Sequence, residues 1–326
     1  MRRRVILAAC GGMVGAPGAA WAQQPGRIHR VAWVAGSTAT LNEPQALAFV
    51  QRLAELGFVE GRNLVIERRD LGSKLDRMPA VAAELGKLEC DAYFGGGGES
   101  VLSTLVQASP STPIVFVAVD FDPVATGDVA SLARPGGRVT GVTALQSTLP
   151  AKRLELLKEL MPHATRFAVL SNADTSAQLA LVQGTARRLG MAAHVIDLRR
   201  PPFDYDAAFA DAVKAKAEAL FVLGSGLWVA GRRTIVNLAL KARLPTVFHQ
   251  SGWVDAGGLM SYGFNFPSMW RRGADMMASV LRGTKAGDIP MEQPTTFELA
   301  LNRKTAQTLG LKVPQPLLLR ADRVID

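Results

Sequence analysis

The residues of this chain that could do chemistry fall in five short polar clusters, each placed just after an apolar run. Ser37 lies in GSTATLN (36–42), and Gly97, Gly98, Glu99 and Ser100 follow the run ending at Phe94. Asp120, Phe121 and Asp122 follow the unbroken apolar stretch 114–119, Asn172 and Thr175 follow 167–170, and Ser225 sits between Gly224 and Gly226. Small residues ahead of a helix let a ligand approach backbone N–H groups and the positive end of the helix dipole, which suits a carboxylate or another anion. Glu99, Asp120 or Asp122 would hold a positive group such as an ammonium. Ser37, Gly98, Ser100, Asn172, Thr175 and Ser225 would supply hydrogen bonds, with Gly97 and Phe121 completing the wall. Each cluster has a plainer alternative. The run 95–98 is also a flexible turn, Ser100 and Thr175 are also helix caps, and Asp120 with Asp122 is also a turn plus a cap. Trp33 and Trp228 read as packing residues ahead of ring-stacking ones.

Catalytic and nucleotide signatures are missing. There is no G-x-S-x-G elbow and no H-E-x-x-H. The phosphate loop GxxxxGK[ST] is absent, and no convincing G-x-G-x-x-G with a distal acid occurs. Asp120 and Asp122 are paired carboxylates of the kind used in acid–base work, but no nucleophile or electrophile partner lies near them. His29, His163, His194 and His249 are far apart in sequence. No cofactor, no metal and no enzymatic activity are expected.

Composition narrows the class. The 326 residues are 48% hydrophobic and 20% charged, ordinary for a globular chain of about two domains. Residues 2–4 are arginines, a weak apolar region follows, and Ala20-Trp21-Ala22 matches an A-x-A cleavage site. Residues 1–22 are therefore expected to be a secretory signal, placing the mature chain in the periplasm. Its removal takes three arginines and leaves a net charge of +9 − 3 = +6. That charge is scattered rather than gathered in a basic stripe, so no nucleic-acid partner is expected. Cys10 leaves with the signal, and Cys90 alone cannot form an intramolecular disulfide.

The elements that position the clusters follow from periodicity. Strands are expected at 30–35, 64–67, 92–94 and 114–119, with helices at 43–56, 75–88 and from 100 to 108. A Pro/Gly turn at 134–137 then sends the chain onward, and the same βα grammar restarts with a helix at 150–161. Further strands are expected at 167–170, 193–196, 220–223 and 246–248, and helices at 176–189, 205–217 and 228–242. The fold class is α/β, two Rossmann-like lobes with parallel sheets joined by a three-crossing hinge. Lobe 1 is expected to take 27–143 plus 251–290, and lobe 2 to take 144–250 plus 291–326. In open parallel sheets ligands bind outside the carboxyl ends of strands, which is where all five clusters fall.

Several segments also resemble a known family. FVQRLAELGFVEGRNLVIERRD (49–70), DPVATGDVASLARPGGRVTGVT (122–143), KRLELLKELMP (152–162), AGGLMSYG (256–263) and EQPTTFELALNRKTAQTLGLKVPQPLLLRADRVI (292–325) are similar, in order, to ABC transporter substrate-binding proteins of the tryptophan/aromatic-amino-acid-binding type. The resemblance implies a type I periplasmic-binding-protein fold that closes on a small organic ligand, an amino acid or related carboxylate, and hands it to ABC permease subunits in the membrane. A monomer is expected. The family's strand-end G-T-P corresponds to Gly97, Gly98 and Glu99, its D-P to Asp122-Pro123, and its N-P to Asn172-Ala173; its later acidic loop appears as Gly224-Ser225-Gly226. Three other roles fit a similar scaffold: a ligand-sensing accessory protein for a membrane receptor, a Rossmann-like enzyme, and the effector domain of a repressor, the last opposed by the signal sequence.

Overall fold

The structure is a computed structural model that describes residues 27–35, 43–71, 75–145, 149–199 and 202–326. The expected signal segment and Ser37 lie outside the described residues. The first sheet is formed by β1 (His29–Ala35), β2 (Leu64–Asp70), β3 (Ala92–Gly97), β4 (Ile114–Val119) and β5 (Val139–Ala144), in the order β2-β1-β3-β4-β5 and parallel throughout. Its connections include α1 (Pro44–Glu55), α2 (Met78–Gly86) and α3 (Glu99–Ala108).

The second lobe begins with α4 (Leu149–Leu160), β6 (Arg166–Ser171), α5 (Ser176–Arg188) and β7 (Ala192–Asp197). It continues through α6 (Tyr205–Lys214), β8 (Leu220–Val222), α7 (Arg232–Lys241), β9 (Thr246–Phe248), α8 (Gly252–Asp255) and β10 (Met260–Phe264). After α9 (Phe266–Leu281) come β11 (Phe297–Asn302), α10 (Arg303–Thr308), α11 (Gln315–Arg320) and β12 (Arg323–Ile325). The sheet order is β12-β11-β10-β9-β8-β6-β7, with β10 and β11 antiparallel and every other pair parallel. The chain passes between the sheets three times: after β5, between β10 and α9, and between α9 and β11.

Each sheet is packed on both faces, as near-continuous apolar strands demand. In the first lobe Phe49 of α1 stacks on Phe94 of β3 at 3.7 Å, and Trp33 meets both edge-on. The amphipathic α9 buries Met269, Trp270, Met276 and Met277 in the same core. A separate core on the opposite face holds Val81, Leu85, Leu102 and Phe116. The second lobe repeats the plan, with Leu157, Phe167 and Phe221 on one side and Phe209, Trp228 and Ile235 on the other. Trp33 and Trp228 are core residues, the indole of Trp228 donating to Leu223 O at 3.0 Å. Cys90 is half-buried beside the first-lobe core, and burial pushes its thiol pKa up. Among the described residues no helix is long and apolar enough to cross a membrane.

One strand is added to those expected, and one expectation is corrected. Residues 139–144 form a fifth strand of the first sheet, joined to β4 without an intervening helix. Gly141 breaks the β-branched pattern because a side chain there has no room: its Cβ would stand 1.8 Å from Phe116 O, at φ +147°. The stretch 251–264, expected in the first lobe, instead pairs through β10 with β9 and β11 of the second sheet. The return to the first lobe comes at Asn265, whose side chain caps α9 by accepting from Ser268 N at 2.9 Å.

Candidate functional site

The chain reverses its direction of winding beside β1 and β3 in one sheet and beside β6 and β8 in the other. Crevices open at such switch points, outside the carboxyl ends of the strands. The carboxyl ends of β3, β4, β6 and β8 and the segments directly after them carry ten of the eleven residues singled out from sequence, Ser37 being the exception.

After β3, Gly97 adopts φ +137°, a conformation that favours glycine, and Gly98 occupies the N-cap of α3 with open space at its Cβ position. Glu99 is exposed in the first turn. Ser100 is half-buried and its carbonyl accepts from Thr104 Oγ1 at 3.0 Å, so it is not the cap. After β4, Asp120 holds a left-handed backbone at φ +61°, which is strained for a non-glycine residue and is fixed by Asp120 N donating to Ala144 O at 3.0 Å. Asp122 makes a turn, its Oδ1 accepting from Val124 N at 2.9 Å. Phe121 is half-buried and packs edge-on against Phe116, with ring centroids 6.0 Å apart.

The second-lobe residues form one buried network. Asn172 Nδ2 donates to Ser225 Oγ at 2.9 Å, and Ser225 Oγ also accepts from Leu227 N at 3.2 Å. Thr175 Oγ1 accepts from Asn172 N and donates to Asn172 O, each at 3.0 Å, so the hydroxyl locks the loop rather than capping α5.

The lobes meet through Asp120 and through residues that composition and strand-end position did not single out. Gln178, in the first turn of α5, grips the Gly224 peptide at both ends: its Oε1 accepts from Gly224 N and its Nε2 donates to Gly224 O, both at 2.9 Å. The same Nε2 donates to Asp120 Oδ2 at 3.0 Å, across the cleft. Arg153 of α4 is completely buried, and its Nε donates to Tyr262 O at 2.6 Å. Burial draws its pKa down to about 10, partly opposed by the Asp120 carboxylate. His249, just past β9, is buried, and desolvation with the nearby Arg153 and Arg232 charges holds it at about 3. Arg232, the first residue of α7, bonds to Glu43 at the start of α1.

Arg153 and Gln178 did leave a signal in the sequence. Arg153 shares a buried helical stripe with Leu157 and Leu160, and Gln178 shares one with Val182 and Thr185. A polar group on an apolar stripe must find a buried partner. Among the described residues, the side chains of Glu99 and Ser100 make no hydrogen bond across the cleft; Asp120 does, and Asn172, Thr175 and Ser225 gather on the facing lobe.

Two doubly wound lobes joined by three crossings, with polar strand-end loops facing one another, define the type I periplasmic-binding class. The chain belongs to the family described as ABC transporter substrate binding protein, whose model matches residues 47–325. A tyrosine-binding protein of Clostridioides difficile (strain R20291) is 24% identical over 267 residues, covering 81% of this chain and 76% of that one. A solved ABC domain from Streptococcus pneumoniae in complex with L-Trp superposes with a TM-score of 0.79 at 20% identity, over 91% of this chain and 100% of that one. A ligand-free, open substrate-binding protein with adhesive properties from Clostridium difficile matches with a TM-score of 0.64 at 21% identity, over 92% and 99% of the two chains.

Proposed function

We propose that this protein captures a small amino acid or related carboxylate between its lobes, outside the cytoplasmic membrane, and delivers it to the permease of an ABC uptake transporter. The carrying observation is the Asp120–Gln178–Gly224 connection, which ties a strand-end loop of one lobe to a strand-end loop of the other at the ligand edge of both sheets. The distribution of charge supports a zwitterion. Glu99, Asp120 and Asp122 stand on the first lobe, while Arg153 and Arg232 stand on the second. Asn172, Thr175 and Ser225 offer neutral hydrogen-bonding groups on the second lobe. The family and the relatives that bind tyrosine and tryptophan favour an amino-acid ligand.

Calorimetry of the mature chain against L-tyrosine, L-tryptophan, other amino acids and simple carboxylates tests the reading. One of them should bind, and Asp122→Ala and Asn172→Ala should each weaken it by about tenfold or more, the scale of one hydrogen bond to a charged group. Unchanged affinity in both variants would place the ligand elsewhere.

A further inference from the structure

A second connection between the lobes lies outside the strand-end clusters. Glu43 sits at the N-cap of α1, whose Ala46, Phe49 and Leu53 are anchored in the first-lobe core. Arg232 opens α7, whose Ile235, Val236 and Ala239 are anchored in the second-lobe core. Arg232 Nη2 donates to Glu43 Oε1, and the two side chains are only 12% and 11% exposed. The pair is thus a buried ion pair that exists only while the lobes stand together.

The two halves are held unequally. Arg232 Nη1 donates to Gly252 O at 3.2 Å, and its guanidinium lies 5.8 Å from the Trp253 ring centroid. Gly252 leaves room for this arrangement, since a Cβ there would stand 2.9 Å from Nη1. Both contacts belong to the second lobe and need not break when the lobes part. Glu43 has no such support: its second oxygen, Oε2, is buried without a hydrogen-bond partner. Arg232 Nε and His249 Nδ1 are likewise buried and unpartnered. Removing either charge leaves the other buried and uncompensated when the lobes are together, whereas the open form returns it to water. A single substitution therefore penalises the closed form selectively.

We propose that Glu43 and Arg232 form an interlobe clasp that sets the closed fraction of the ligand-free protein. They are positioning residues for ligand capture, because affinity scales with the population of the binding-competent form. The link to capture rests on the function proposed above; the clasp itself does not.

The test is small-angle X-ray scattering on the mature chain, stripped of co-purified ligand by unfolding and refolding. The ligand-free parent should contain a compact fraction. Glu43→Gln and Arg232→Gln should each lower the closed-to-open ratio by about tenfold or more and raise the radius of gyration. The double variant should open no further than the single ones, because its second substitution removes a charge that already lacks its partner. A merely structural role would lower thermal stability without enlarging the particle. If Arg232→Gln does not fold, Glu43→Gln decides alone. An unchanged radius in the folded single variants, additive opening in the double variant, or a parent that is fully open without ligand would each overturn the clasp. Scattering needs no ligand, so failure of every amino acid to bind would sink the proposed function and leave this test standing. If L-tyrosine binds the parent, its Kd should rise in Glu43→Gln by the factor by which scattering shows the closed fraction to fall.

Discussion

Gln178 offers a way to separate the stability of one lobe from the joining of two. Its amide makes three hydrogen bonds, two to the Gly224 peptide and one to Asp120. Gln178→Ala removes all three and leaves the buried N–H and C=O of Gly224 without partners. Each orphaned group costs about 1–3 kcal/mol, so a total near 3 kcal/mol is expected for the second lobe. For a domain of this size that lowers Tm by about 6–12 °C. Gln178→Glu has a different signature. Its carboxylate still accepts from Gly224 N, but it cannot donate to Gly224 O and it faces the Asp120 carboxylate across the cleft. Repulsion at that distance acts only when the lobes are together, so Gln178→Glu should lose ligand affinity beyond what its loss of stability accounts for. Differential scanning calorimetry reads the first effect, and titration of the ligand found in the amino-acid panel reads the second. A Gln178→Ala protein melting within about 2 °C of the parent would refute the peptide clamp.

Two further outcomes follow from buried groups. His249 binds its proton near 6.5 when unfolded and near 3 in the folded lobe, where burial and two arginines oppose its charge. Between those values the unfolded chain holds the extra proton, so stability is full above about pH 6.5 and falls with decreasing pH towards 3, by roughly 4–5 kcal/mol in all. Urea denaturation from pH 7 to 4 should show a shallower fall in His249→Asn than in the parent, and parallel curves would rule the histidine out as the source. Gly141→Ala should abolish folding of the first lobe or cost more than about 4 kcal/mol, because the added Cβ has no escape from the Phe116 backbone; soluble yield and urea midpoints check it, and a near-parental midpoint would contradict the close approach of β4 and β5.

The fold was legible because its signals are local and repeated. Strands such as 114–119 are apolar on both faces, the helices alternate with them at helical period, and that combination admits little besides a doubly wound sheet. The parts that were not legible depend on contacts distant in the chain. Gly141 weakens the strand pattern of 139–144, yet it is the close approach of Phe116 that requires glycine there. The segment 260–264 has the composition of a strand, but nothing in it says which sheet it joins; its hydrogen bonds to Thr246–Phe248 and Phe297–Asn302 decide that.

The candidate site divides along the same line. Strand-end position was enough to find Asp120, Asn172, Thr175 and Ser225, because loops after parallel strands converge on one edge. It could not find Glu43, Arg153, Gln178 or Arg232, which lie in or at the start of helices. Their common property is a polar or charged group in a buried place, and such a group persists in a fold only when a specific partner offsets its desolvation. For the Glu43–Arg232 pair that partner lies on the opposite lobe, and Gln178 adds Asp120 of the opposite lobe to Gly224 of its own. A lobe folding alone would leave Glu43 in water, where nothing requires it, while Gln178 and Arg232 would keep only their own-lobe partners. Polar residues at buried positions near the ends of helices, together with a strand-end residue such as Asp120, are therefore where the sequence of a two-lobed binder records the closed state.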